Sequence, residues 1–382
     1  MHKVRRIHIA GFRRLRDIQI EMRPLMVLIG ANGVGKSSVL DAVSLLSATA
    51  GGTMNKALNS LGGVKDVCSR GQCETIALDA AMDCPGYEPL QYQLELEAKG
   101  QGYAIPLEML SQSREGYSAP FKHIEARYDD IRYFDPEQSR LVRPSWEHNP
   151  LESALSQVPK MFTQPEELRR TLYSVTQYHV LDVGPRAPVK LPQQMKPAQL
   201  PGEDGEDLVP FLYNLRETDH DRYEAVEDAL RSAFPGFESL NFPAAAAGML
   251  SLTWKEKQFR DPIFAHQLSE GTLRFLWLVS LLQSPNLSTV TMIDEPEVSM
   301  HPELLSLLAD LMRAAAKRTQ IIVATHSDRL IRFLEPSEVV VMDLGEDGYA
   351  ATQWADSMDL EEWLKEYALD EVWRMGRMGG RV

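Results

Sequence analysis

The sequence predicts an α/β fold: a mostly parallel core sheet flanked by helices, an antiparallel β lobe, and an inserted region of helices and loops. Three observations carry this. The apolar stretch "LMVLI" runs through a glycine-rich loop, "GANGVGKS", into a helix. From Gln267 onward the order is helix, strand, helix, strand, as expected where helices cover a largely parallel sheet. Between these stretches, "ETIALDAAM" and "PLQYQLELEAKGQGYAIPLEML" alternate apolar and polar residues around a glycine-rich hairpin turn, the pattern of an antiparallel sheet.

Residues 1–50 are expected to hold two or three strands, with turns at Gly11 and Pro24, then the loop and the first helix. Residues 51–150 form the β lobe. Residues 151–260 form the insertion. It reads as a helical stretch over 150–175, a buried strand in "YHVLDVG", an exposed and mobile loop in "PRAPVKLPQQMKPAQLPGEDGED", an amphipathic helix in "DRYEAVEDALRSAF" and a strand in "GMLSLTWKEKQ". Residues 261–382 carry the remaining helices and strands, and the whole is read as one domain, 1–382. No repeats and no sustained a/d heptads occur, so a long coiled-coil arm is not expected.

Apolar content of 44% and charged content of 25% place the chain among globular proteins. No apolar run approaches 18 residues, so no membrane-spanning helix is predicted. The basic N-terminus lacks the apolar region of a secretory signal. Cys68, Cys73 and Cys84 show no metal spacing and read as reduced thiols of a cytoplasmic protein. The net charge of −14 argues against a protein that coats nucleic acid over its whole surface. Residues 1–24 depart from that total, with seven Lys/Arg against two Asp/Glu, a local net of +5. That edge is either a solvated basic face or a patch facing phosphates.

The stretch Gly30 to Ser37 fits G-x-x-x-x-G-K-[ST] between a strand and a helix, the context this phosphate-binding motif requires. Glycines such as Gly33 and Gly35, with Asn32, let backbone N–H groups turn toward phosphate oxygens at a helix N-terminus. Lys36 adds a point charge for the β- and γ-phosphates, and the Ser37 hydroxyl is placed to ligate Mg²⁺. Downstream, "STVTMIDEPEVSMHPEL" ends a mostly apolar strand in Asp294-Glu295. Strand C-termini are where open α/β sheets place ligands. Asp294 is placed to hold Mg²⁺ directly or through water, and Glu295 to orient or deprotonate the attacking water. His326, at the end of the next buried strand, is placed to hydrogen-bond a γ-phosphate oxygen or that water. Pro302 suits the first position of a helix, and His301 reads as a turn residue, with an interface role as the alternative.

"HQLSEGTLRFL" reads as a capped core helix: Ser269 caps, and Leu273, Leu276 and Trp277 face the core. Its first turn, with Ser269 and Gly271, also offers backbone N–H groups to an anion.

With these residues in place, the chain resembles the ATP-binding-cassette class of P-loop ATPases, in the SMC/RecF/OLD branch. "GFRRLRDIQIEMRPLMVLIGANGVGKSSVLDAV" is similar to that branch's opening, "LSEGTLRFL" to its signature, "TMIDEPEVSMHPEL" to its Walker B and D-loop, and "ATHSDRL" to its His switch. The resemblance implies an ATPase head acting as an ATP-driven head-to-tail homodimer. Its two nucleotides would be sandwiched between one subunit's phosphate loop and the other's signature, Ser269-Glu270-Gly271. It implies a nucleotide contact for Arg13, an α-phosphate contact for Ser38, and a glutamine that senses Mg²⁺ and water, for which Gln177 is the candidate. Glu270 departs from the pattern, standing where the first of two glycines is usual.

Lys36 and Ser269 lie 233 residues apart, farther than in transporter cassettes, and only 56 residues follow His326, so a C-terminal nuclease domain is not expected. The ending resembles that of stand-alone bacterial ATPases encoded beside a separate effector in antiphage defence modules. The function expected is therefore a Mg²⁺-dependent ATPase that gates a partner effector such as a nuclease. The alternatives are a RecF-like repair ATPase gripping duplex DNA and a nucleotide-gated scaffold with little turnover.

Overall fold

Two strands, β1 (Val4–Phe12) and β2 (Leu15–Glu21), turn Ile7, Ile9, Ile18 and Ile20 inward and leave Arg5, Arg6, Arg14 and Arg16 outside. The turn between them falls at Arg13–Arg14, two residues beyond the expected Gly11, which stays within β1. Pairing explains the shift, because the antiparallel ladder runs on through Phe12↔Leu15. The computed structural model describes residues 3–69, 75–100 and 102–379; Cys73 lies outside them. The chain divides into two compact units, one of residues 1–176, 337–359 and 376–382, the other of 177–336 and 360–375.

The first unit contains an eight-stranded antiparallel sheet. To β1 and β2 it adds β4 (Thr75–Cys84), β5 (Tyr87–Lys99), β6 (Gly102–Gln112), β7 (Phe121–Arg127), β8 (Asp130–Asp135) and β9 (Arg140–Val142), in the order β2-β1-β4-β5-β6-β7-β8-β9. The alternating lobe therefore recruits the first two strands, since β4 satisfies the free edge of β1 through pairs such as Ile9↔Leu78. The buried positions of this sheet are not all apolar. Glu108 on β6 is 1% exposed and accepts hydrogen bonds from the Tyr92 and Ser153 hydroxyls and the Ala154 and Leu155 amides, at 2.7–3.0 Å. Cys68 and Cys84 are buried thiols outside any disulfide. The fully buried β3 (Leu25–Ile29) pairs in parallel with the Val339–Leu344 strand, which pairs antiparallel with Ala350–Trp354.

In the second unit, Val290–Asp294 and Gln320–Ala324 pair in parallel. Helices His220–Ala233, Glu270–Gln283 and Pro302–Ala316 form as expected, with Pro302 at the first turn. "GMLSLTWKEKQ" breaks into two short strands, Met249–Leu250 and Thr253–Glu256, which pair with different partners. The strand expected in "YHVLDVG" is not formed there: a short strand, Thr176–Tyr178, ends at its first residue, and residues 179–184 are irregular. The proline-rich loop is not uniformly exposed. Val189 and Gln193 are buried, and the Gln193 amide donates to the Pro188 and Gly205 carbonyls while accepting from the Val209 amide. That side chain satisfies three backbone groups beside a two-residue ladder, Gln193↔Leu250 and Gln194↔Met249. Among the described residues no helix is long and apolar enough to cross a membrane.

His123 on β7 is 8% exposed, and burial, helped by the Arg114 charge, brings its pKa down from 6.5 to about 4. Between those values the unfolded chain binds the proton that the folded one refuses, so stability falls as pH drops through this window. The single residue should cost on the order of 3 kcal/mol between pH 7 and 4. Urea unfolding midpoints across that range should fall less steeply in His123→Leu than in the wild type. Parallel slopes in the two proteins would rule this assignment out.

Candidate active site

In the first unit the phosphate loop leaves β3 at Gly30, whose φ is 150° and where an added Cβ would overlap the Met342 carbonyl of the neighbouring strand. Only glycine lets the loop depart so close to that backbone. The 16-residue Lys36–Gly51 helix follows, with Gly35 before it. No side chain caps this helix and no acidic residue stands in its first turn. The positive end of its dipole thus meets no acidic side chain in its own first turn, which suits an anion. The Lys36 ammonium donates to the Gly30 and Ala31 carbonyls at 2.7 and 3.1 Å. Lys36 and Ser38 are buried, while Asn32, Gly33 and Ser37 are exposed. Arg13 adopts φ 50° and donates to Asp41 on this same helix at 2.5 Å.

In the second unit the parallel register Asp294↔Ala324 sets the arrangement. The Glu295 amide donates to the Ala324 carbonyl at 2.8 Å, and Glu295 takes φ 48°. Left-handed backbone is unfavourable for a side-chain-bearing residue by about 1–2 kcal/mol. It brings the Glu295 carboxylate 2.9 Å from His326 Nδ1. With Nδ1 on the carboxylate, Nε2 is left to face a ligand or water. Below them the Thr325 hydroxyl donates to Glu297 at 2.5 Å and itself accepts from the Ser327 amide at 2.9 Å. Burial pushes the Glu297 pKa up.

The Glu270–Gln283 helix starts in the same unit. Ser269 caps it, accepting from the Thr272 amide at 3.2 Å, and Leu273, Leu276 and Trp277 are buried. Glu270, the departure from the usual signature, has a carboxylate oxygen 3.6 Å from the Arg274 guanidinium. Gln177 sits half-buried in the Thr176–Tyr178 strand, and His301 caps the helix starting at Pro302. The second unit thus brings Asp294, Glu295 and His326 to adjacent strand ends. Sequence reading missed Asp41, Glu297, Thr325, Arg274 and Ser299. Each lay within or beside a quoted motif, but only register and packing show which of them meet.

No group of three or more His, Cys, Asp or Glu among the described residues could cage a metal ion. Mg²⁺ commonly keeps waters and substrate phosphates and takes only one or two protein oxygens. The Ser37 hydroxyl in the first unit and the Asp294 carboxylate in the second are each a donor of the oxygen type Mg²⁺ takes.

The fold is shared with solved structures. The SMC head bound to the C-winged-helix domain of ScpA matches with a TM-score of 0.57 at 13% identity, over 92% of this chain and 97% of that one. An SMC head domain with an extended coiled coil, bound to the C-terminal domain of ScpA derived from Pyrococcus furiosus, matches with a TM-score of 0.55 at 13% identity, over 96% and 98%. At such identity the likeness concerns the fold alone, that of an SMC head. Among curated proteins none matches the chain. The AAA_21 model, "AAA domain, putative AbiEii toxin, Type IV TA system", matches residues 25–332, which span the phosphate loop, Ser269, Asp294-Glu295 and His326, and the chain belongs to that family.

Proposed function

We propose that residues 1–382 act as one ATPase head that hydrolyses ATP as a head-to-tail homodimer, and that the cycle gates a separate effector protein, such as a nuclease in antiviral defence. The observation that carries the hydrolytic reading is the Glu295–His326 pair, 2.9 Å apart at the strand ends beside Asp294. In this reading Lys36 and the amides of Asn32, Gly33 and Gly35 hold phosphate oxygens, Ser38 contacts the α-phosphate and Arg13 the nucleotide. Ser37, Asp294 and Gln177 would hold Mg²⁺, which when bound neutralises phosphate charge. Glu295 accepts the proton of the attacking water, and His326 orients that water or a γ-phosphate oxygen. Ser269, Glu270 and Gly271 meet the nucleotide of the partner subunit.

Support for an effector comes from outside the site. The family description names a toxin and a toxin–antitoxin system, and SMC heads of this fold have been seen bound to ScpA domains. The basic edge gives the DNA-gripping alternative little help. Arg16 pairs with Asp347 at 3.2 Å, and Arg6 stands opposite Glu21. The scaffold alternative is disfavoured because both Glu295 and His326 are present.

Glu295→Gln should lower kcat by about 10²–10⁴-fold, the usual worth of a general base, and sediment as a dimer with ATP. A variant that stays monomeric with ATP would sink the sandwich. Lys36→Ala should weaken ATP binding about 10- to 100-fold by equilibrium dialysis, the value of a charge-assisted hydrogen bond or two. Ser269→Ala should slow turnover while leaving nucleotide affinity of the monomer intact; unaltered turnover would exclude a role in trans. Salt-sensitive binding of duplex DNA by the wild type would transfer support to the repair reading.

A further inference from the structure

We propose that Arg274 is a positioning residue that locks the first turn of the Glu270–Gln283 helix to the turn following Glu295, so that an anion seated at Ser269–Gly271 is felt at Glu295 of the same chain. This rests on the reading of Ser269–Gly271 as the contact to the partner's nucleotide. The Arg274 side chain is 14% exposed. Its Nε donates to the Leu181 carbonyl at 3.1 Å, one Nη donates to the Ser299 hydroxyl, and the Glu270 carboxylate lies 3.6 Å away. One rigid fork therefore spans the segment before the proline-rich loop, the acidic-strand turn and the helix start. A lysine, with one compact ammonium, cannot reproduce that fork.

A second contact runs alongside. A Cβ on Gly271 would overlap the Ser299 carbonyl, so helix and turn touch backbone to backbone. Ser299 holds φ 62°, and the turn is tied internally by Val298 N–H to Glu295 O at 3.3 Å and Met300 N–H to Glu297 O at 3.0 Å. Displacement of Ser299 has little slack to dissipate in before it reaches Glu295, whose own backbone is left-handed. Packed elements of this kind move as units.

The test is a double-mutant cycle in the full chain with Arg274→Gln, Ser299→Ala and the pair, reading kcat, KM for ATP, nucleotide affinity of the monomer and thermal midpoint. Each single change should lower kcat about tenfold, within the usual range of coupling between sites, with monomer affinity within about twofold. The double variant should be no slower than the slower single one, and Arg274→Lys should behave like Arg274→Gln. Unchanged kcat, losses that multiply, or full rescue by lysine would each overturn the proposal. Should Arg274→Gln fail to fold, Ser299→Ala at its exposed position carries the test, and wild-type kcat there is a refutation. Dimerisation is read separately by sedimentation of Glu295→Gln, and absence of wild-type ATP turnover would fault the hydrolytic reading itself.

Discussion

The hydrogen bond from the Glu295 amide to the Ala324 carbonyl, 2.8 Å long, is the constraint on which the chemistry of the second unit depends. It extends the parallel ladder one residue past Asp294↔Ala324, after which the chain must turn sharply. The turn is made in a left-handed conformation that a glutamate adopts at a cost. Because the strands are parallel and in register, the residues just beyond their ends emerge side by side. Glu295 meets His326, and Glu297 meets Thr325. A one-residue slip would reverse the facing of every side chain along the strand and dissolve both pairs.

Left-handed backbone and an uncapped helix start both occur within the motifs. Among the described residues, six that are not glycine have positive φ, and Arg13, Glu295 and Ser299 lie in or beside the motifs. The Lys36–Gly51 helix begins with no side-chain cap and no acidic residue, although a cap is worth about 1 kcal/mol. A fold optimised for stability alone would have a serine or aspartate there, as Ser269 provides for the Glu270–Gln283 helix. Local rules are broken where a ligand can supply the missing partner.

Much of this was readable in the residues. The phosphate loop, the two parallel strands and the capping Ser269 follow from local pattern, since each depends on periodicity or on a backbone requirement within a few positions. The readings that shifted depended on distant partners. Gly11 is a plausible turn until β4 claims the edge of β1 and the ladder carries on to Phe12. The proline-rich loop looks solvent-bound until Gln193 bonds three backbone groups around it. Glu108 sits in an alternating strand where a charge should face water, yet four donors from β5 and the 153–155 segment let it face inward.

By itself the sequence determined the α/β class, the order of the elements, the glycine-dependent loop and the acidic pair at a strand end. These are set by side-chain pattern, by glycine's backbone freedom and by the placing of charge after an apolar run. Tertiary structure alone decided the partners: His326 for Glu295, Thr325 for Glu297, Asp41 for Arg13, and Ser299 for Arg274. Glu270, ambiguous as an acidic residue in a phosphate-facing turn, lies beside Arg274 only because the helix spaces them four apart and Leu181 and Ser299 hold that guanidinium in place. Register and packing join residues tens of positions apart, and no local pattern encodes which of several compatible partners will be reached.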